Sequence, residues 1–201
     1  RFVARDFGQN YLMTLQEEGN PIIFTNGDND TFPLWYNQDT EGIRRDARIC
    51  NLNYAQTDWY IYQQQCPLYD APGLPISWKK DQYQEGKNEY VSVRPELKKQ
   101  IEELYQKHPE EARDSFGNDP FEAKNILKHW ALSEKQDFHV IPTDTISIDI
   151  DKEAVLRSGV MLPKSIRHLK GEELRNAIPD KIYISLKDIR VLTKMDLLLL
   201  E

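Results

Sequence analysis

The sequence predicts an α/β fold: a Rossmann-like sheet of mostly parallel strands with a helical insertion. Three observations carry this. Asn20 to Asn53 reads as strand, acidic loop, helix, turn, strand, and a unit of that length favours parallel strands joined by a right-handed crossover. A helix-patterned run leads directly into the first strand, as in layered α/β domains. Strand-like runs then resume beyond a long charged segment. The expected division is 1–78 as the first part of the core, 79–135 as a helical insertion or cap, and 136–201 as the second part, cut short at its end.

The elements follow in order. Phe2 to Glu18 carries Phe7, Tyr11, Leu12 and Leu15 at helical spacing, and Gly19-Asn20 stops it. Pro21 to Thr25 is a short apolar run rich in β-branched and aromatic residues, as a buried strand requires. Asn26-Gly27 permits a sharp turn. Asp28, Asn29, Asp30 and Thr31 are all helix-capping types, Pro33 suits a first helical turn, and Gly42 marks the stop. Ala47 to Leu52 is the second strand. Thr57 caps a helix running to Gln65, which Cys66-Pro67 ends. Leu74 to Trp78 reads as a short edge strand, because the prolines around it disfavour a central one.

In the charged segment, Tyr90 to Val93 reads as a brief strand. Pro95 to His108 is a helix with Leu97, Ile101, Leu104 and Tyr105 on one face, ended by Pro109. Asp119 as cap and Pro120 as first residue open another helix, with Phe121, Ile126, Leu127 and Trp130 on its apolar side. Phe138 to Ile141 and the alternating Ile146 to Ile150 are strands. A short helix from Asp151 stops at Gly159, a second helical stretch covers Lys164 to Asn176, Lys181 to Leu186 is a strand, and Thr193 to Leu197 opens a final helix.

Composition narrows the function. The chain has 201 residues and a net charge of −7, which disfavours a nucleic-acid partner. No run of apolar residues is long enough to span a bilayer. Arg1-Phe2-Val3-Ala4 is an unnatural start and Leu197 to Leu200 breaks off inside a pattern, so the chain is expected to be part of a longer polypeptide. Cys50 falls in a predicted buried strand and suits a core thiol, although a Cys50–Cys66 disulfide stays open. His108, His129, His139 and His168 lack metal-ligand spacing. No phosphate loop, dinucleotide fingerprint or serine-nucleophile elbow is present.

The sharpest chemical signal is Asp28-Asn29-Asp30. Two carboxylates at i and i+2 beside a strand end can share a divalent cation, Mg or Mn, with a sugar phosphate completing the shell. The same residues suit helix-cap and turn duty. In a parallel pair, Asn51, Asn53 and Asp58 would lie beside Asn26, Asp28, Asn29 and Asp30, forming a polar rim at the carboxyl end of the strands, where open α/β sheets bind ligands. The aromatics Trp35, Tyr36, Trp59, Tyr60 and Tyr62 follow on the adjacent helices. At that spacing core packing is the usual role, and stacking on a sugar would require some of them to be exposed at the rim.

The run Ile23 to Tyr36, with Glu41 to Leu52 and Thr57-Asp58-Trp59-Tyr60, resembles a large bacterial family of multi-span membrane proteins. Ala4 to Phe7, Val155 to Gly159 and Thr193 to Leu197 extend the resemblance, which is thin across 79–135. That family is similar to GT-C-type glycosyltransferases and is related to a eukaryotic protein O-mannosyltransferase. The resemblance implies a soluble, non-catalytic domain on the extracytoplasmic (periplasmic) face of a membrane protein. Its partners would be the membrane-embedded part of the same polypeptide and a sugar or protein acceptor. The catalytic acid would lie among the membrane helices, so the resemblance gives Asp28 and Asp30 no catalytic role. The residue pattern keeps two alternatives open: a metal-dependent sugar-nucleotide or phosphosugar site at Asp28 and Asp30, and a protein-interaction scaffold.

Overall fold

A computed structural model describes residues 2–17, 19–135, 138–158 and 160–200. The expected helix end at Glu18 and the stop at Gly159 lie outside them. The elements run α1 (Val3–Met13), β1 (Ile22–Thr25), α2 (Asp28–Asp39), β2 (Arg48–Asn51), α3 (Asp58–Gln65), α4 (Lys80–Tyr83) and β3 (Tyr90–Val93). There follow α5 (Lys98–Lys107), α6 (Pro109–Phe116), α7 (Ala123–Ile126), β4 (Val140–Ile141), β5 (Thr145–Asp149) and α8 (Lys152–Arg157). The last are α9 (Gly171–Ala177), β6 (Lys181–Ser185), β7 (Val191–Thr193) and α10 (Lys194–Leu198).

This is not the predicted Rossmann-like sheet. Helix dominates, and among the described residues the strands fall into separate sheets of two or three. β1 and β2 pair in parallel, Ile22 opposite Arg48 through Thr25 opposite Asn51. The later strands are too short and too one-sided to extend that pair. Thr145–Asp149 alternates, and an antiparallel partner, Lys181–Ser185, satisfies it.

The chain divides into two compact units, Arg1–Tyr90 with Leu192–Glu201, and Val91–Val191. The first unit has its core where α1 and α2 cover one face of the β1–β2 pair: Leu12, Ile23, Leu34 and Ile49, with Leu15, Trp35 and Ile43 packed against them. Gly8 lets the two helices approach closely, since a Cβ there would collide with the Pro33 carbonyl and the Asn37 amide. α3 covers the Arg48 and Cys50 side of β2 through Tyr60 and Gln64. Lys194, 1% exposed, ties α10 into this unit through Glu89 at 2.7 Å and the Tyr83 carbonyl at 3.0 Å.

Two arginines lock helix ends. The first helix stops at Met13, a turn earlier than expected, because the Arg44 guanidinium takes up the Leu12, Leu15 and Gln16 carbonyls while gripping Asp46 through two nitrogens. Arg48, 2% exposed, donates to the Gln63 carbonyl at the end of α3 and to Gln64 Oε1. A cation at a helix C-terminus offsets the negative end of the macrodipole.

Several local expectations are corrected. Phe7 and Tyr11 are exposed, because Gly8 and Leu12 form the buried stripe of α1. Pro33 sits in the second turn of α2, and the Asn37 side chain bonds its carbonyl. Leu74 to Trp78 forms no strand, because the Gln65 side chain takes the Ile76 and Trp78 carbonyls and the Gln64 carbonyl takes the Leu74 N–H. α5 ends at Lys107, ahead of Pro109 as expected, and Pro109 also opens α6 as its first residue. Asp119 is not a cap, because its carboxylate serves the Phe121 N–H and Lys181, so Glu122 caps α7 instead. The helix expected over Lys164 to Asn176 begins only at Gly171.

The second unit has its core at Ile101, Phe116 and Trp130, where Phe116 stacks on Trp130 at 4.7 Å. β3 pairs in parallel with β4. Lys181 joins Asp119 at 2.8 Å to Asp149 at 2.6 Å, and these two carboxylates raise its pKa well above the ordinary lysine value.

Candidate functional site

Pairing Thr25 with Asn51 sets the loop after β1 beside the end of β2, where the polar rim is expected. What its residues do is largely structural. Gly27 is the N-cap of α2, and Asp30 reaches back from the third helical position. Its Oδ2 accepts the Asn26 N–H at 2.8 Å and its Oδ1 the Gly27 N–H at 2.9 Å. These donors, Asn26 above all, hold the Asp30 carboxyl below the usual carboxylate range. Asn51 is fully buried; its amide donates to the Thr31 hydroxyl at 2.8 Å, and its Oδ1 accepts the Tyr54 N–H at 3.1 Å. Thr31 donates to the Gly27 carbonyl and lies 2.7 Å from the Thr25 hydroxyl. Asn29 and Asn53 are exposed, with the Asn53 amide close to Gly27. Asp58 stays with its own helix, accepting the Trp59 N–H at 2.7 Å. Among the described residues, no three His, Cys, Asp or Glu side chains gather as metal ligands.

Asp28 points elsewhere. Its carboxylate accepts the Tyr54 hydroxyl at 2.9 Å and raises that phenol's pKa. Tyr54 leads from the acidic loop into an aromatic groove. The groove encloses about 460 Å³, lined by Phe32, Trp35, Asp39, Tyr54, Trp59, Gln63, Leu68 and Tyr69. Pockets of this size accommodate small ligands. Phe32 and Trp35 stack at 5.6 Å and 29°, Trp35 and Tyr54 at 6.3 Å and 15°. Trp59 stands at 50° to Tyr54, 5.7 Å away. The Arg45 guanidinium covers the Tyr69 ring at 4.5 Å.

The exposure that a stacking role requires is present: Trp59 is 54% and Phe32 47% exposed. Tyr60, by contrast, is a core residue. Its hydroxyl accepts the Asn51 N–H, and burial pushes its pKa up to about 12. The sequence carried a signal for this division. Neighbouring aromatics on a helix point about 100° apart, so Trp35-Tyr36 and Trp59-Tyr60 could not all face one core. Phe32, Tyr54 and Tyr69 are groove residues that sequence reasoning did not single out. Cys50 and Cys66 are free thiols, and burial lifts the Cys50 pKa to about 11.

Fold and groove together define a helix-rich α+β chain of two units, the first carrying an open aromatic groove beside a capped acidic loop. The chain belongs to the family described as TMEM260-associated domain 2, whose model matches residues 4–201. No curated protein and no solved structure matches it. Among the described residues, no helix is long and apolar enough to cross a membrane.

Proposed function

We propose that this chain is the non-catalytic, extracytoplasmic domain of a membrane-bound GT-C-like glycosyltransferase, and that its first unit holds the acceptor. The observation carrying this reading is the groove of Phe32, Trp35, Tyr54 and Trp59, with aromatic faces left open in a pocket of ligand size. Membership in a TMEM260-associated family supports the link to an O-mannosyltransferase-like parent. The engagement of both Asp30 oxygens by backbone N–H groups favours acceptor binding over a metal-dependent nucleotide-sugar site, because those oxygens already serve the turn.

The test is sugar transfer by the full-length membrane protein carrying Trp59→Ala. A domain that only holds the acceptor contributes binding that is uniform between ground and transition states, so KM for the acceptor rises while kcat stays unchanged. A fall in kcat with KM unchanged would overturn the reading, as would transfer kinetics indifferent to the substitution.

A further inference from the structure

We infer that the aromatic groove of the first unit is a saccharide site that takes the apolar face of a neutral pyranose ring, and this inference rests on the acceptor-holding reading above. Phe32, Trp35 and Tyr54 stack in series with interplanar angles of 29° and 15°, and the exposed rings of Phe32 and Trp59 leave aromatic surface open to the groove. Trp59, turned 50° from Tyr54, stands beside that stack. The negative π-face of an aromatic ring attracts polarised C–H groups, and a pyranose presents several of them on one side. Its hydroxyls then project outward and need hydrogen-bond partners. The lining supplies an acceptor in the Asp39 carboxylate, both donor and acceptor in the Gln63 amide, and the Tyr54 hydroxyl, which Asp28 holds in place.

The charge of the groove selects against other ligands. Among the described residues no lysine, arginine or histidine lines it and Asp39 is the one carboxylate in its lining, with Asp28 behind Tyr54; the nearby cation Arg45 is taken up over the Tyr69 ring. A nucleotide sugar or sugar phosphate would set its phosphates against these carboxylates. A peptide that adds to a strand edge finds none here, because α2, α3 and the helical turn Tyr54–Gln56 bond within their own turns. A proline-rich peptide, which docks in aromatic-lined grooves, is the competing occupant that the titration below decides.

The test is a ¹H–¹⁵N NMR titration of this chain, following the indole N–H signals of Trp35 and Trp59. The probes are a mannose-containing oligosaccharide, a glucose-containing one, a nucleotide-activated hexose and a proline-rich peptide. The expected result is a saturable shift of both signals with at least one neutral oligosaccharide. Trp59→Ala and Asp39→Asn, both at exposed positions, should each weaken it by about tenfold. Tyr62→Ala, an exposed aromatic on α3 outside the groove, should leave it unchanged. The inference is overturned if no oligosaccharide moves the signals, if the peptide alone or the activated hexose alone does, or if the shifts survive Trp59→Ala in a folded variant. If saccharides fail to bind while Trp59→Ala still raises the acceptor KM of the full-length protein, the saccharide assignment falls and the acceptor-holding reading stands.

Discussion

Replacing Thr31 with valine tests whether the loop after β1 is held by its hydroxyl network. Valine keeps the shape of threonine, so little cavity forms. The hydroxyl is the acceptor for the Asn51 amide and the neighbour of the Thr25 hydroxyl, and all three side chains are closed to water. Leaving a buried polar group unpaired costs about 1–3 kcal/mol, so two such groups give roughly 2–6 kcal/mol. Rotation of the Thr25 hydroxyl toward another acceptor, and the added apolar burial of valine, offset part of this. A net loss of about 2–3 kcal/mol is expected. For a cooperative unit of this size that lowers Tm by roughly 8–20 °C. Thermal and urea unfolding of Thr31→Val, Asn51→Val and the double variant give the measurement. The double variant should cost clearly less than the sum of the singles, because each single already breaks the shared contact. A Tm change within about 2 °C, or strict additivity, would refute the network as the basis of the loop's rigidity.

Other outcomes follow from single contacts. Gly8→Ala should destabilise by about 1 kcal/mol although alanine is the better helix former, because overpacking against the Pro33 carbonyl outweighs the propensity gain; urea midpoints read the sign. Asp30→Asn should cost about 1 kcal/mol as a lost cap partner at neutral pH. The Asp30 pKa is depressed on folding, so its contribution is complete above the unfolded carboxylate range and is lost as pH falls through the lower folded value. The stability gap between wild type and Asp30→Asn should therefore close below about pH 4. Cys50, buried with a raised pKa, should resist maleimide at pH 8 while Cys66 reacts, and should become reactive on unfolding; mass spectrometry distinguishes the two.

Local chemistry was legible in the sequence where one residue dictates one conformation. β1, α2 and β2 follow from an apolar run, a glycine turn, a set of capping residues and a second apolar run. Sheet assembly was not legible, because strand pairing depends on partners far away in sequence. Nothing in Ile146–Ile150 states that Lys181–Ser185 will pair with it in antiparallel register. The acidic loop was found, but the groove was not, because exposure of an aromatic is decided by its neighbours. Trp59 and Tyr60 are adjacent, yet one faces solvent and the other the core. Nothing in the residue pattern marks Arg44 or Arg48, yet both serve as helix-end locks because backbone carbonyls, invisible to residue patterns, converge on them.

That convergence bears on how the first unit forms. The locks for α1 and α3 both issue from one five-residue run, Arg44 to Arg48, which also begins β2. Neither helix can be anchored at its end until this run has settled, whereas the run itself is shaped locally by Arg44 gripping Asp46. The run contacts segments about thirty residues upstream and fifteen downstream, so its contacts are expected to be formed in the folding transition state. Arg48→Ala is accordingly expected to slow refolding more than it accelerates unfolding in stopped-flow measurements.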